Sequence, residues 1–177
     1  MNIWGVKHQI DVDFALVAYK RFEDIDPHVF FKGERLAPGW KVPSAHLNPA
    51  QPGARAVDFP FFEYGALLCS TVAWGILKPH LEAEVEVLPV DVEGYSYQLL
   101  NPIQVIDCLD MQQSQMRYNK NGRVTDIDQY VFHQEKLKGV YLFKLPELTR
   151  THIYATEAFR GIIESHQLTG LEFKALP

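Results

Sequence analysis

The spacing of hydrophobic and polar positions changes several times along this chain, and each change marks an element. Residues 2–6 and 12–19 are apolar runs rich in β-formers and predict two strands, or one interrupted strand. Residues 21–27 are charged and end in Pro27, which predicts a turn, and residues 28–32 predict a further short strand. Residues 66–69 form an apolar strand that meets Ser70. Serine directly ahead of a helical pattern is an N-cap signal, and Val72, Ala73, Ile76, Leu77 and His80 follow at helical spacing. Pro79 is expected to shorten or kink this helix, because it lacks an N–H and clashes with the preceding turn. Residues 84–90 alternate charge with apolar side chains, so Glu82, Glu84 and Glu86 are expected on a solvated strand face.

Residues 95–114 are the least generic stretch. Tyr95, Tyr97 and Leu99 alternate with Ser96 and Gln98, the pattern of a strand with one apolar face. Asn101-Pro102 is expected to break it, and a second strand over 103–109 leads to Asp107 and Asp110. Next, Asn121-Gly122 predicts a hairpin turn between 115–119 and 123–127, since both residues tolerate positive φ. Residues 139–145 predict a strong strand. Residues 153–155 predict a short one, with Thr156 capping a helix to about Leu168, Thr169-Gly170 ending it and 171–176 closing the chain as a strand.

Two of these segments resemble each other. At an offset of 86 positions (68 to 154), Leu68-Cys69-Ser70 aligns with Tyr154-Ala155-Thr156, Gly75-Ile76-Leu77 with Gly161-Ile162-Ile163, and His80 with His166. Each copy reads strand, hydroxyl cap, short helix, strand. Gly75 and Gly161 lie inside helices, where glycine is unfavourable, so close packing against both is expected. A paired-histidine metal site at His80 and His166 competes with a simpler role at the helix ends, which the spacing favours.

Residues 33–60 break all periodicity. Seven prolines and glycines from Pro38 to Pro60 predict a long irregular segment anchored by Trp40 and Leu47. It reads as a packed structural loop rather than an active-site lid. Residues 59–64, FPFFEY, are either core or an exposed contact patch through which the chain could homodimerise.

Composition narrows the classes. A chain of 177 residues that is 47% hydrophobic has ample material for a core within one domain spanning 1–177. A net charge of −5 argues against nucleic-acid binding, which needs a basic face. Cys69 and Cys108 stand in apolar runs without C-x-x-C spacing and are expected as buried free thiols, a disulfide requiring that their strands be neighbours. The N-terminus lacks a signal-peptide pattern and no apolar run approaches a membrane span, so a soluble cytoplasmic protein without membrane contact is expected.

Candidate chemistry is sparse. Nucleotide, hydrolase and zinc-protease motifs are absent, and no cofactor is expected. Asp107 and Asp110 form the one suggestive carboxylate pair, with Ser114 able to bond an aspartate locally. Their simplest role is to close a turn. Their alternative is a small metal-dependent hydrolase.

The order of these segments is more telling than any one of them. It comprises the strand–cap–helix of 67–81, Leu88-Pro89-Val90, Tyr95 and Tyr97, Asn101-Pro102, residues 105–110 and Ser114. Gly122-Arg123, the strand 139–145 and the terminal Leu168-Thr169-Gly170-Leu171-Glu172-Phe173 follow, with Ile3-Trp4 and Asp58-Phe59-Pro60 ahead. This resembles the immunity-protein domain of bacterial polymorphic-toxin systems, immunity family eleven, with family forty-three a close relative. The resemblance covers 58–177 well and 1–57 loosely; Pro79, and Thr156 in place of a serine, depart from it. It implies an α+β domain, a mixed and mostly antiparallel sheet with two short helices in similar strand–helix–strand units. It further implies a non-enzymatic protein that binds and neutralises a cognate toxin. On that reading Tyr95, Tyr97, Asn101, Asp107, Asp110 and Ser114 are structural or line a groove.

Overall fold

A computed structural model describes residues 1–10, 15–19, 31–49, 53–62, 65–150 and 152–176. Its strands are β1 (Ile3–His8), β2 (Ala15–Tyr19), β3 (Ser44–Pro49), β4 (Leu67–Ser70), β5 (Val85–Pro89) and β6 (Asp91–Val92), followed by β7 (Tyr97–Pro102), β8 (Gln115–Tyr118), β9 (Val124–Gln129), β10 (Leu142–Phe143), β11 (Tyr154–Thr156) and β12 (Leu171–Ala175). The helices are α1 (Thr71–Leu81) and α2 (Glu157–Ser165). The architecture is α+β, with mostly antiparallel pairing.

Two sheets share one construction. In the first the order is β4-β7-β5, with β7 antiparallel to both neighbours; in the second it is β10-β11-β1-β12, with β1 antiparallel to both β11 and β12. Each helix therefore carries the chain between two parallel strands that an antiparallel strand separates. The repeat seen in the sequence is thus a repeat of topology, although the inserted strand comes later in the chain for the first unit and earlier for the second. Equivalent positions also face one core: Cys69 and Ala155, Ala73 and Phe159, Leu77 and Ile163 all belong to the same buried cluster.

That cluster is shared by both units. The other faces of the two sheets bury separate clusters. Leu68, Leu88 and Leu99 pack with Phe31, Ala45 and Phe62, while Phe143 and Tyr154 pack with Cys108, Leu109 and Ile127. Strands covered on both faces read as continuous apolar runs, which is why Leu67-Leu68-Cys69 shows no alternation. Because β1 lies between β11 and β12, the N-terminal strand belongs to the C-terminal sheet.

Several sequence expectations need correction. The irregular segment 33–60 contains β3, which pairs with β2 and β6. The aromatic run is core rather than contact patch where it is described, with Phe59 and Phe62 buried. Asn101-Pro102 does not break β7; Pro102 ends it opposite Val85, where a missing N–H is tolerated. Residues 103–109 form no strand and hold only isolated bridges, Val105 to Lys144 and Leu109 to Phe132. The strand expected over 139–145 shrinks to β10. Helix α1 runs through Pro79 to Leu81, and α2 ends at Ser165. Nothing packs where a Cβ would stand on Gly75 or Gly161. Phe31 and Lys32 are not in a strand; the rest of 28–32, the turn at 21–27 and the Leu47 side chain lie outside the described residues.

Ser70 does cap α1, its Oγ accepting from the Ala73 N–H at 3.1 Å. Thr156 occupies the matching position but donates instead to the Val140 carbonyl at 2.7 Å. The hairpin turn forms with positive φ at Gly122 alone, and Asn119 Oδ1 accepts from the N–H groups of Asn121 and Arg123.

Candidate functional site

The six residues singled out in 95–114 do not converge. Tyr95 is exposed, and Tyr97 beside it donates to the Val57 carbonyl at 2.7 Å. Asn101, toward the far end of β7, is fully buried. Asp107 is exposed, and its backbone carbonyl accepts from Lys136 Nζ at 2.6 Å. Asp110 closes a turn: Oδ1 accepts from the N–H groups of Gln112 and Gln113, and Oδ2 from the Gln113 amide at 2.7 Å. Those donors, led by the Gln112 N–H, hold its carboxyl below the usual carboxylate range. Ser114 Oγ accepts from the Val131 N–H at 3.0 Å and faces the Val131 carbonyl at 3.3 Å, tying the turn to the segment after β9.

The charged groups that the fold brings indoors went unrecognised in the sequence. Glu84 and Glu86, expected in solvent, are both buried. Glu84 accepts from the Tyr141 and Leu142 N–H groups, the latter at 2.7 Å, and so joins the first sheet to β10. Burial pushes its carboxyl up, and the two backbone donors work against that rise. Glu86 accepts from the Leu36 N–H at 2.7 Å, the Ala37 N–H at 3.1 Å and the Asn101 amide at 3.3 Å. The Asn101 amide also donates to the Glu34 carbonyl at 2.8 Å. Lys144, completely buried, donates to the carbonyls of Phe31, Gly65 and Thr149 at 2.7, 2.6 and 2.9 Å. A charged group indoors needs such partners, and here each is matched to main chain from a distant segment. The alternation of 84–90 reported which residues share a face, but not that the face would be covered.

The two histidines of the repeat have separate surroundings. His80 Nδ1 lies 3.3 Å from the Tyr141 hydroxyl, and His166 is the residue that caps the C-terminus of α2. Among the described residues no group of three or more His, Cys, Asp or Glu side chains could hold a metal ion. Nor is any described helix long and apolar enough to cross a membrane.

On the surface, Trp4 is held by two residues of α2. Its Nε1 donates to Glu157 at 2.7 Å, and the Arg160 guanidinium stacks 4.1 Å above its ring while pairing with Glu164. A cleft of about 420 Å³ between α2 and β12 lies to one side, and one of about 350 Å³ bordered by Tyr130 and Phe132 to the other.

Two buried carboxylates and a buried ammonium thus anchor main chain, while on the surface Glu157 and Glu164 hold Trp4 and Arg160. The immunity protein family Imm11 matches residues 81–176, more than half of the chain, and the chain belongs to that family. No curated protein matches it.

Proposed function

We propose that this immunity protein binds a cognate bacterial toxin domain in the cytoplasm and neutralises it by direct contact, without catalysis of its own. The observation that carries this reading is the family match over 81–176. The hydrogen bonds that Glu84, Glu86, Asp110 and Lys144 make to main chain give each of them a structural role, which is in keeping with this reading. The chain is proposed to act as one domain over 1–177, because β1 completes the sheet that β11 and β12 begin.

The test is co-expression in bacteria with each toxin domain encoded beside this gene, followed by affinity purification. Rescue of growth with co-purification of the pair is the expected outcome. Rescue without a stable complex would count against direct contact, and no rescue by any adjacent toxin would count against the immunity role.

A further inference from the structure

Strand β12 ends its sheet, and among the described residues nothing pairs with its outer edge. The direction of its backbone groups follows from the ladder. The Gln9 N–H donates to the Gly170 carbonyl at 2.9 Å, in the same register as the pairs Lys7–Glu172 and Gly5–Lys174. Hydrogen-bonded pairs alternate along an antiparallel ladder. The main chain of Glu172 and Lys174 therefore turns toward β1, and that of Leu171, Phe173 and Ala175 turns outward. Val6 agrees: it stands opposite Phe173, yet its N–H donates away from β12, to Ile153. Before β12 the chain is already occupied, since Thr169 holds Asp58 and Phe59. The open edge is thus 171–175.

Edge strands invite pairing unless guarded. This one is self-complementary. Place a second β12 antiparallel to the first with Phe173 on the two-fold axis. Phe173 then meets Phe173, and Leu171 meets Ala175. The outward N–H and carbonyl groups of each strand face those of the other. In the same register Glu172 stands opposite the second copy's Lys174, and Lys174 opposite its Glu172. These are non-hydrogen-bonded positions, where facing side chains come closest. Both residues are exposed. Lys174 faces only Gly5 across its own sheet, so the second copy supplies the carboxylate its own ladder lacks. Leu171 and Phe173, half-buried along the 420 Å³ cleft, gain cover from Ala175 and Phe173 of the second copy respectively.

We infer that two copies of this chain associate through β12, antiparallel about Phe173, to form one continuous sheet. The pairing requires no toxin, so its test stands apart from the rescue experiment.

Analytical ultracentrifugation of the full chain over a wide concentration range is expected to show a monomer–dimer equilibrium. Ala175→Pro removes an outward N–H and leaves the β1 ladder intact, and it is expected to abolish the dimer while circular dichroism stays native. Glu172→Lys or Lys174→Glu alone sets like charges opposite one another and should weaken dimerisation about tenfold. The double variant Glu172→Lys/Lys174→Glu restores opposite charges with the signs exchanged and should recover it. A chain that stays monomeric throughout overturns the inference, as does one that pairs at this edge only with a toxin domain. So does a dimer that survives Ala175→Pro, or one that the double variant fails to rescue.

Discussion

The Lys144 ammonium nitrogen lies 2.7 Å from the carbonyl oxygen of Phe31, a residue more than a hundred positions earlier in the chain. With Gly65 and Thr149 it completes three acceptors for three N–H donors, in a site without water access. Lys144→Met keeps the bulk and strands all three carbonyls. It is expected to cost at least about 3 kcal/mol of stability in urea unfolding, at about 1 kcal/mol or more for each buried acceptor left alone.

The same site gives a pH dependence. Burial pulls the Lys144 ammonium down to about 7 from the ordinary lysine value of 10.5. Between those values the unfolded chain binds more protons than the folded one, so this contribution to stability rises with pH. It is complete above the unfolded value and is lost as pH falls through about 7. The stability difference between the native chain and Lys144→Met should therefore widen from about pH 7 to pH 9. Taking the difference cancels the opposing effect of the two thiols, which burial raises and which ionise in this range only in the unfolded chain. A difference that stays flat would show that the three carbonyls hold the proton against burial.

Glu86 does for the segment after Phe31 what Lys144 does for Phe31 itself. Glu86→Ala leaves the Leu36 and Ala37 N–H groups and the Asn101 amide without their acceptor. The expected loss is about 2–4 kcal/mol, and smaller for Glu86→Gln, which keeps one acceptor oxygen. Hydrogen exchange localises the effect: in Glu86→Ala the Leu36 and Ala37 amides should lose protection well before those of β7.

Local signals carried far in this sequence. Ser70 before a helical period gave the start of α1, Asn121-Gly122 gave the β8–β9 hairpin, and the offset alignment gave two like units that the topology bears out. What failed depended on distant chain. Whether Glu86 meets solvent is decided by residues 34–37, and whether Lys144 is buried is decided by residues 31, 65 and 149. Residues 103–109 are apolar enough for a strand but have no strand beside them along their length, because Val105 and Leu109 bridge in different directions. The candidate residues of 95–114 were adjacent in sequence, and the fold separates them: β7 takes Asn101 inside, while Asp110 and Ser114 serve the turn behind β8.

The helical glycines are an opportunity for stabilisation. Open space surrounds the Cβ position at both Gly75 and Gly161. Alanine at either is expected to add about 0.5–1 kcal/mol by restricting the unfolded chain, and the two gains should add because they lie in different helices. Gly170 is the contrast: its φ is +100° and an added Cβ would stand 2.3 Å from the Phe59 carbonyl oxygen. Gly170→Ala is expected to cost about 1–3 kcal/mol. Thermal unfolding of the three variants checks both signs at once.

Cys69 and Cys108 test how uniformly the structure holds. Both are buried free thiols, and they lie in different core clusters, so no bond joins them. Burial raises both, Cys108 to about 12, so neither supplies thiolate near neutral pH. The native chain should react with neither iodoacetamide nor a disulfide reagent, and the denatured chain with both. Under mild denaturant the order should be informative. Cys69 sits in β4, paired with β7 along its whole length, whereas Cys108 sits between isolated bridges beneath the hairpin. Opening the second region breaks fewer main-chain bonds, and stability is local in this sense. Peptide mass spectrometry after pulsed labelling is expected to find Cys108 modified first. Simultaneous labelling would mean that the hairpin region and the paired sheet unfold as one cooperative unit.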